Sequence, residues 1–158
     1  MGENVSNKLL ALKLVLEALG VGTSIDDVNE RKGKQKAIYL AKVLGLNLGY
    51  SYGWYVRGPY SPSLTKDYYE LDASSDTLNG TLRPDIAATL QDIRTRYIES
   101  PEKPEEMSPN DWLELIASWH FLRETSKKSV EEATETFNLQ KPHLVESVQV
   151  AERLMIGA

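Results

Sequence analysis

Tyr50-Ser51-Tyr52-Gly53-Trp54-Tyr55-Val56-Arg57-Gly58-Pro59-Tyr60-Ser61-Pro62-Ser63-Leu64 punctuates the chain more sharply than any other stretch. Leading into it, Leu48, Tyr50, Tyr52 and Trp54 alternate with Asn47, Gly49, Ser51 and Gly53. That is the two-residue period of a strand with its aromatic residues on one side. Gly49 and Gly53 offer no side chain to pack, so the pattern predicts a short or bulged hairpin rather than a broad sheet. Gly58-Pro59 should end the strand, and Ser61-Pro62 should start a helix running to about Leu71. Ser61 would be its N-cap, with Pro62 at the first helical position, where a missing N–H costs nothing. Six of the eight tyrosines and one of the three tryptophans fall between positions 50 and 69.

Helical periods surround this segment. Leu9, Leu12, Val15, Leu16 and Leu19 predict a first helix from Asn7 to Leu19, stopped by Gly20. Ser24, Asp26 and Asp27 predict a short second helix, Ile25 to Glu30, interrupted by Gly33. Lys34 to Leu44 reads as a buried third helix with Ala37, Leu40, Ala41 and Leu44 on one face. Residues 72–81 read as a polar loop. Further helices are expected from Pro84 to Ile98, after Ser108 through Leu122, from Ser129 to Asn138, and from His143 to Met155. The expected fold is mainly α with a small β-hairpin, in a single domain over residues 1–158. Its N-terminal half (1–72) would be winged-helix-like and its C-terminal half (82–158) helical.

Composition excludes several chemistries. The 158 residues are 41% hydrophobic and 26% charged, with a net charge of -5, as in an ordinary globular protein. Without cysteine there is no disulfide or thiolate chemistry, which fits a reducing, cytoplasmic setting. His120 and His143 stand alone, without metal-ligand or general-base spacing, so neither a metal nor a cofactor is expected. Asp67 and Glu70 are three apart on the helix after Pro62, but acid–base work would require a cleft around them. No apolar run approaches membrane-spanning length, and no membrane association is expected. Gly2 and Ser6 match a myristoylation spacing, but no polybasic segment lies beside them to complete an anchor.

Two surfaces remain as candidates. Trp54, Tyr55, Arg57, Gly58, Pro59 and Tyr60 form the first. The aromatic residues would supply rigid anchors, Arg57 a charge-assisted contact and Gly58-Pro59 a fixed turn, as at a protein–protein hot spot. Arg31, Lys32, Lys34 and Lys36 form the second, a basic run leading into the third helix of a helix–helix–helix–hairpin order. That is the order of winged-helix DNA-binding domains, and it supplies the alternative function. With 18 basic against 23 acidic residues, a protein partner is favoured over nucleic acid.

The segment Lys34-x-Lys36-Ala37-Ile38-Tyr39-Leu40-Ala41, followed by Trp54-Tyr55-x-x-Gly58-Pro59-Tyr60-Ser61-Pro62-x-Leu64, resembles the prokaryotic YwgA-like group and its relatives, the Panacea or SocA-like antitoxin domains. Trp112 to His120 and Lys141-Pro142 resemble the carboxy-terminal half of YwgA-like proteins more loosely. The resemblance implies a mainly helical domain with a small hairpin, without assigned catalytic residues. In the antitoxin branch it implies neutralisation of a toxin by direct binding, or its delivery to a protease. The YwgA-like branch implies a place among mobile or defence genes. The expected function is therefore a non-enzymatic interaction module, antitoxin-like or accessory to such a system. Its partner would be a toxin-like protein or the product of a neighbouring gene.

Overall fold

The computed structural model describes residues 2–157, with side chains from residue 7 onward. The side chains of the Gly2–Ser6 myristoylation pattern thus lie outside the described residues. Among the described residues the fold is mainly α, with seven α-helices and one two-stranded antiparallel hairpin. The helices are α1 (Gly2–Ala18), α2 (Val28–Val43), α3 (Pro62–Ser74), α4 (Pro84–Ile93), α5 (Pro109–His120), α6 (Val130–Gln140) and α7 (Val148–Met155). Strands β1 (Gly53–Tyr55) and β2 (Gly58–Tyr60) lie between α2 and α3.

Helix α5 is the axis of the molecule. Trp112, Leu115, Ile116, Ala117 and Trp119 are fully buried on it, and it packs against α2, α7 and β2. Helix α1 closes the core from the side of α3 and α4 through Leu12, Val15 and Leu16. Such continuous burial of large apolar side chains stabilises the fold by roughly 1.5–3 kcal/mol for each.

Several expected boundaries move, each for a local reason. Helix α1 begins at Gly2, ahead of Asn7. The second and third expected helices are one. Its N-cap is Asp27, which accepts from the Glu30 backbone, while the Glu30 carboxylate accepts from the Asp27 N–H in return. This capping box starts α2 at Val28, and the helix continues through Gly33 to Val43. One glycine costs a helix only about 1 kcal/mol, less than the burial of the Lys34–Ala41 stretch returns. Two helices, not three, therefore precede the hairpin, and the winged-helix element order is not formed.

Strand β1 is only three residues long and takes in just Gly53 and Trp54 of the alternating stretch; Gly49, at φ +92, turns the chain out of an extended path before it. Gly58-Pro59, expected to end a strand, instead forms β2, paired with Tyr55 and Trp54. Ser61 caps α3 through the Leu64 N–H with Pro62 in the first turn, as expected. The polar segment after α3 is partly ordered as a 3-10 turn (Ser75–Thr77), whose carbonyl end is held by Lys13 Nζ donating to Ser75 O and Leu78 O. The final expected helix is a 3-10 segment, Pro142–Ser147, followed by α7.

Candidate functional site

The hairpin turn, Val56-Arg57, is where the functional residues converge. Gly58 follows it at φ +97, a conformation a side chain resists. A Cβ there would also lie 2.2 Å from Ser118 Oγ on α5, so glycine is required on two counts. The turn is then fastened by polar groups from α2 and from the C-terminal end of α6. Gln35 Nε2 donates to Ser61 O at 3.0 Å, and its Oε1 accepts from the Ser61 N–H at 2.8 Å. Lys36 Nζ donates to Pro59 O at 2.8 Å. Lys141 Nζ donates to Val56 O at 3.0 Å and to Glu114 Oε2 at 2.9 Å. Trp54 Nε1 donates to Gln140 Oε1, and its ring packs on Phe121.

These groups make a buried cationic centre. Lys36, Lys141 and Glu114 are all nearly inaccessible, and Lys32 approaches Glu114 Oε1 at 3.5 Å. Burial pulls the Lys36 ammonium down to about 7; Glu114 opposes this, while Lys141, Lys32 and Arg57 add to it. Burial alone would raise the Glu114 carboxyl, but the hydrogen bond and charge of Lys141, with Lys32 and Lys36, hold it below the ordinary carboxylate range.

Beside this centre opens a cleft of about 240 Å³ between α2, the hairpin and α3. Arg31, Lys32, Lys36 and Arg57 line it, together with Tyr60, Tyr68 and Tyr69, and no carboxylate does so among the described residues. Thr65 Oγ1 is the hub of its polar wall: it lies 2.6 Å from Tyr60 Oη and 3.3 Å from Tyr68 Oη, and it accepts from Gln35 Nε2 at 2.9 Å. Arg57 is exposed and has no hydrogen-bond or ion-pair partner among the described residues. Lys32 and Arg57 also line an adjoining hollow of about 250 Å³ with Val56, Asp111, Glu114, Gln140 and His143, so the two recesses share a cationic sill.

The residues of the aromatic candidate surface take separate duties. Gly58 and Pro59 are buried, and Trp54 is half-buried. Tyr55, half exposed, packs edge-on against Tyr60 with ring centroids 5.0 Å apart. Arg57 and Tyr60 reach the cleft. The basic candidates divide as well. Lys34 is fully buried and donates to Ser24 O and Glu30 O, which ties down the loop before α2. Lys36 is turned inward, and Arg31 Nη1 donates to Ile25 O. A solvated row of cations suited to a phosphate backbone is therefore not what α2 presents.

Tyr68 is buried, whereas Tyr69 is half exposed beside it. Sequence reasoning missed Lys141 and Glu114 as partners of the hairpin, and Thr65 and Gln35 as cleft residues. The one available signal was Lys-Pro after α6, which showed a helix break but not a buried ammonium.

The remaining titratable candidates do not assemble. Asp67 accepts from Tyr50 Oη at 2.7 Å and pairs with Lys8, while Glu70 faces solvent, so the two carboxylates share no cleft. His120 Nδ1 lies 2.8 Å from Tyr39 Oη, and burial lowers its pKa. His143 faces Asp111 at 3.8 Å. Among the described residues no group of His, Asp and Glu stands close enough to hold a metal ion, and no helix is long and apolar enough to cross a membrane.

No family model matches the chain, and no curated protein or solved structure is found to be similar to it.

Proposed function

We propose that this chain is a non-enzymatic protein-interaction module that captures an acidic segment of a partner protein. Its binding surface would be the cleft between α2, the hairpin and α3. The observation that carries this reading is the cleft's lining: four basic residues and three tyrosines with no carboxylate among the described residues, on a molecule whose net charge is -5. A surface of opposite sign to the rest of the molecule selects an acidic partner and steers its approach. Tyr69, exposed in the lining, Tyr55, packed against Tyr60, and Val56, exposed in the adjoining hollow, would supply apolar anchors. The rigid attachment of the hairpin means that little ordering cost is incurred on binding.

The resemblance to the YwgA-like and antitoxin domains narrows the proposal to a prokaryotic, cytoplasmic antitoxin-like protein, or an accessory of a defence or mobile-element system. Its partner would be a toxin-like protein or neighbouring gene product. The test is affinity capture from the native host with wild-type, Arg57→Glu and Arg96→Glu baits. Arg96 sits on the exposed helix end after α4, paired only with Asp92. A partner retained by wild type and Arg96→Glu, but weakened at least tenfold by Arg57→Glu, supports the proposal. Retention at full affinity by Arg57→Glu and by Tyr69→Ala would overturn it.

A further inference from the structure

We propose that the group recognised in this cleft is a phosphomonoester dianion, carried on the partner segment as a phosphorylated side chain. This deepens the interaction reading and rests on it for the source of the phosphate. Arg31, Lys32, Lys36, Lys141 and Arg57 stand near two carboxylates of the adjoining hollow, Glu114, which Lys141 and Lys32 already engage, and Asp111, which faces His143. Positive charge is left in excess beside a recess that contains no acid. One carboxylate from a partner would offset only part of it. A phosphomonoester brings about -1.5 to -2 charges at neutral pH and three strong acceptor oxygens.

The geometry supplies donors of the required kinds. Arg57, unpaired and exposed at the mouth, carries a planar fork that meets two phosphate oxygens at once. Lys32 stands at the same sill as a point charge. On the opposite wall, Thr65 Oγ1 already accepts from Gln35 Nε2 and can accept from only one of the Tyr60 and Tyr68 hydroxyls, so at least one tyrosine proton is free of it to face a ligand. Tyr69 adds an exposed ring against which the body of the phosphorylated residue can lie. A volume of about 240 Å³ admits one side chain with its phosphate, not an extended nucleic acid. An anion here would also hold Lys36 in its charged form, since burial is what pulls that ammonium down.

The test is a titration of the ¹⁵N-labelled intact chain at neutral pH with phenyl phosphate and phenyl sulfate, which share a shape and differ by about one charge. Phenyl phosphate should bind at least tenfold more tightly, shifting the amides of Arg57, Gly58, Tyr60 and Tyr69. Arg57→Gln, at an exposed and unpaired position, should keep the spectrum of the folded chain and lose most of that preference. Equal binding of the two probes, no binding, or shifts confined to other elements would overturn the proposal. Failure here with an Arg57-dependent protein partner still captured removes only the phosphate. Phosphate binding without any such partner removes the interaction module instead and leaves a small-molecule phosphate ester as the ligand.

Discussion

A Cβ at position 58 would lie 2.2 Å from Ser118 Oγ, on a backbone already held at φ +97. Gly58→Ala therefore combines overpacking with a disfavoured dihedral, together about 2–4 kcal/mol. Chemical denaturation should show that loss, with the Tyr55 and Trp54 region of the spectrum most affected. Ser118→Ala in the same chain should restore part of it by removing the obstructing oxygen without adding a glycine to α5. The buried pair Lys141–Glu114 makes a second residue-scale prediction. Lys141→Met takes from a buried carboxylate its one hydrogen-bonded ammonium, leaving Lys32 at 3.5 Å and the charge of Lys36, and should cost about 3–5 kcal/mol. Lys141→Met with Glu114→Leu should recover part of that in the same denaturation experiment, because the stranded carboxylate is gone; Lys36 then loses Glu114 as well as Lys141 and is left more neutral.

At the scale of elements, the hairpin is short because glycines at 49 and 53 leave little to pack, and that much follows from the alternation. The helix after Ser61-Pro62 and the buried face of α2 were equally readable, since caps and periods are local signals. The join across Gly33 was not: it depends on tertiary burial of Lys34 to Ala41, which outweighs one glycine. The cleft was legible only in part. Arg57 and Tyr60 stood out by composition, but Thr65 and Tyr69 reach it only because α3 is seated beside α2, from which Gln35 faces it. The inward turn of Lys36 likewise depends on a carbonyl that only the folded hairpin supplies. Gln35→Ala should test this linkage. It removes bonds to Ser61 and Thr65 and leaves buried groups unsatisfied, so stability should fall by about 1–3 kcal/mol. Amide exchange should rise first in β2 and the start of α3.

For the whole molecule, the buried lysines predict an unusual dependence of stability on pH. Lys36 titrates near 7 in the folded chain and near its ordinary 10.5 when unfolded. Between those values the unfolded chain holds the proton that the folded one lacks, so stability rises with pH. Lys34, lowered by burial, acts in the same direction. Above about 10 the buried Tyr39, Tyr50 and Tyr52, whose pKa values burial raises, reverse the trend. Urea midpoints should therefore climb from pH 7 to about 9.5, and Lys36→Met should flatten much of that climb; a midpoint that falls over this range contradicts the buried-ammonium account.

The same centre gives an otherwise acidic molecule its one acid-free, aromatic-lined recess among those described, and on that recess the functional account depends. The most direct measurement is site-specific photo-crosslinking in the native host, with a benzophenone side chain replacing Tyr69 in the cleft or Glu17 on α1. The cleft position should link to one protein, through an acidic segment mapped by mass spectrometry, and Arg57→Glu should abolish the link. Equal crosslinking from the two positions, or a link at Tyr69 that survives Arg57→Glu, would contradict it.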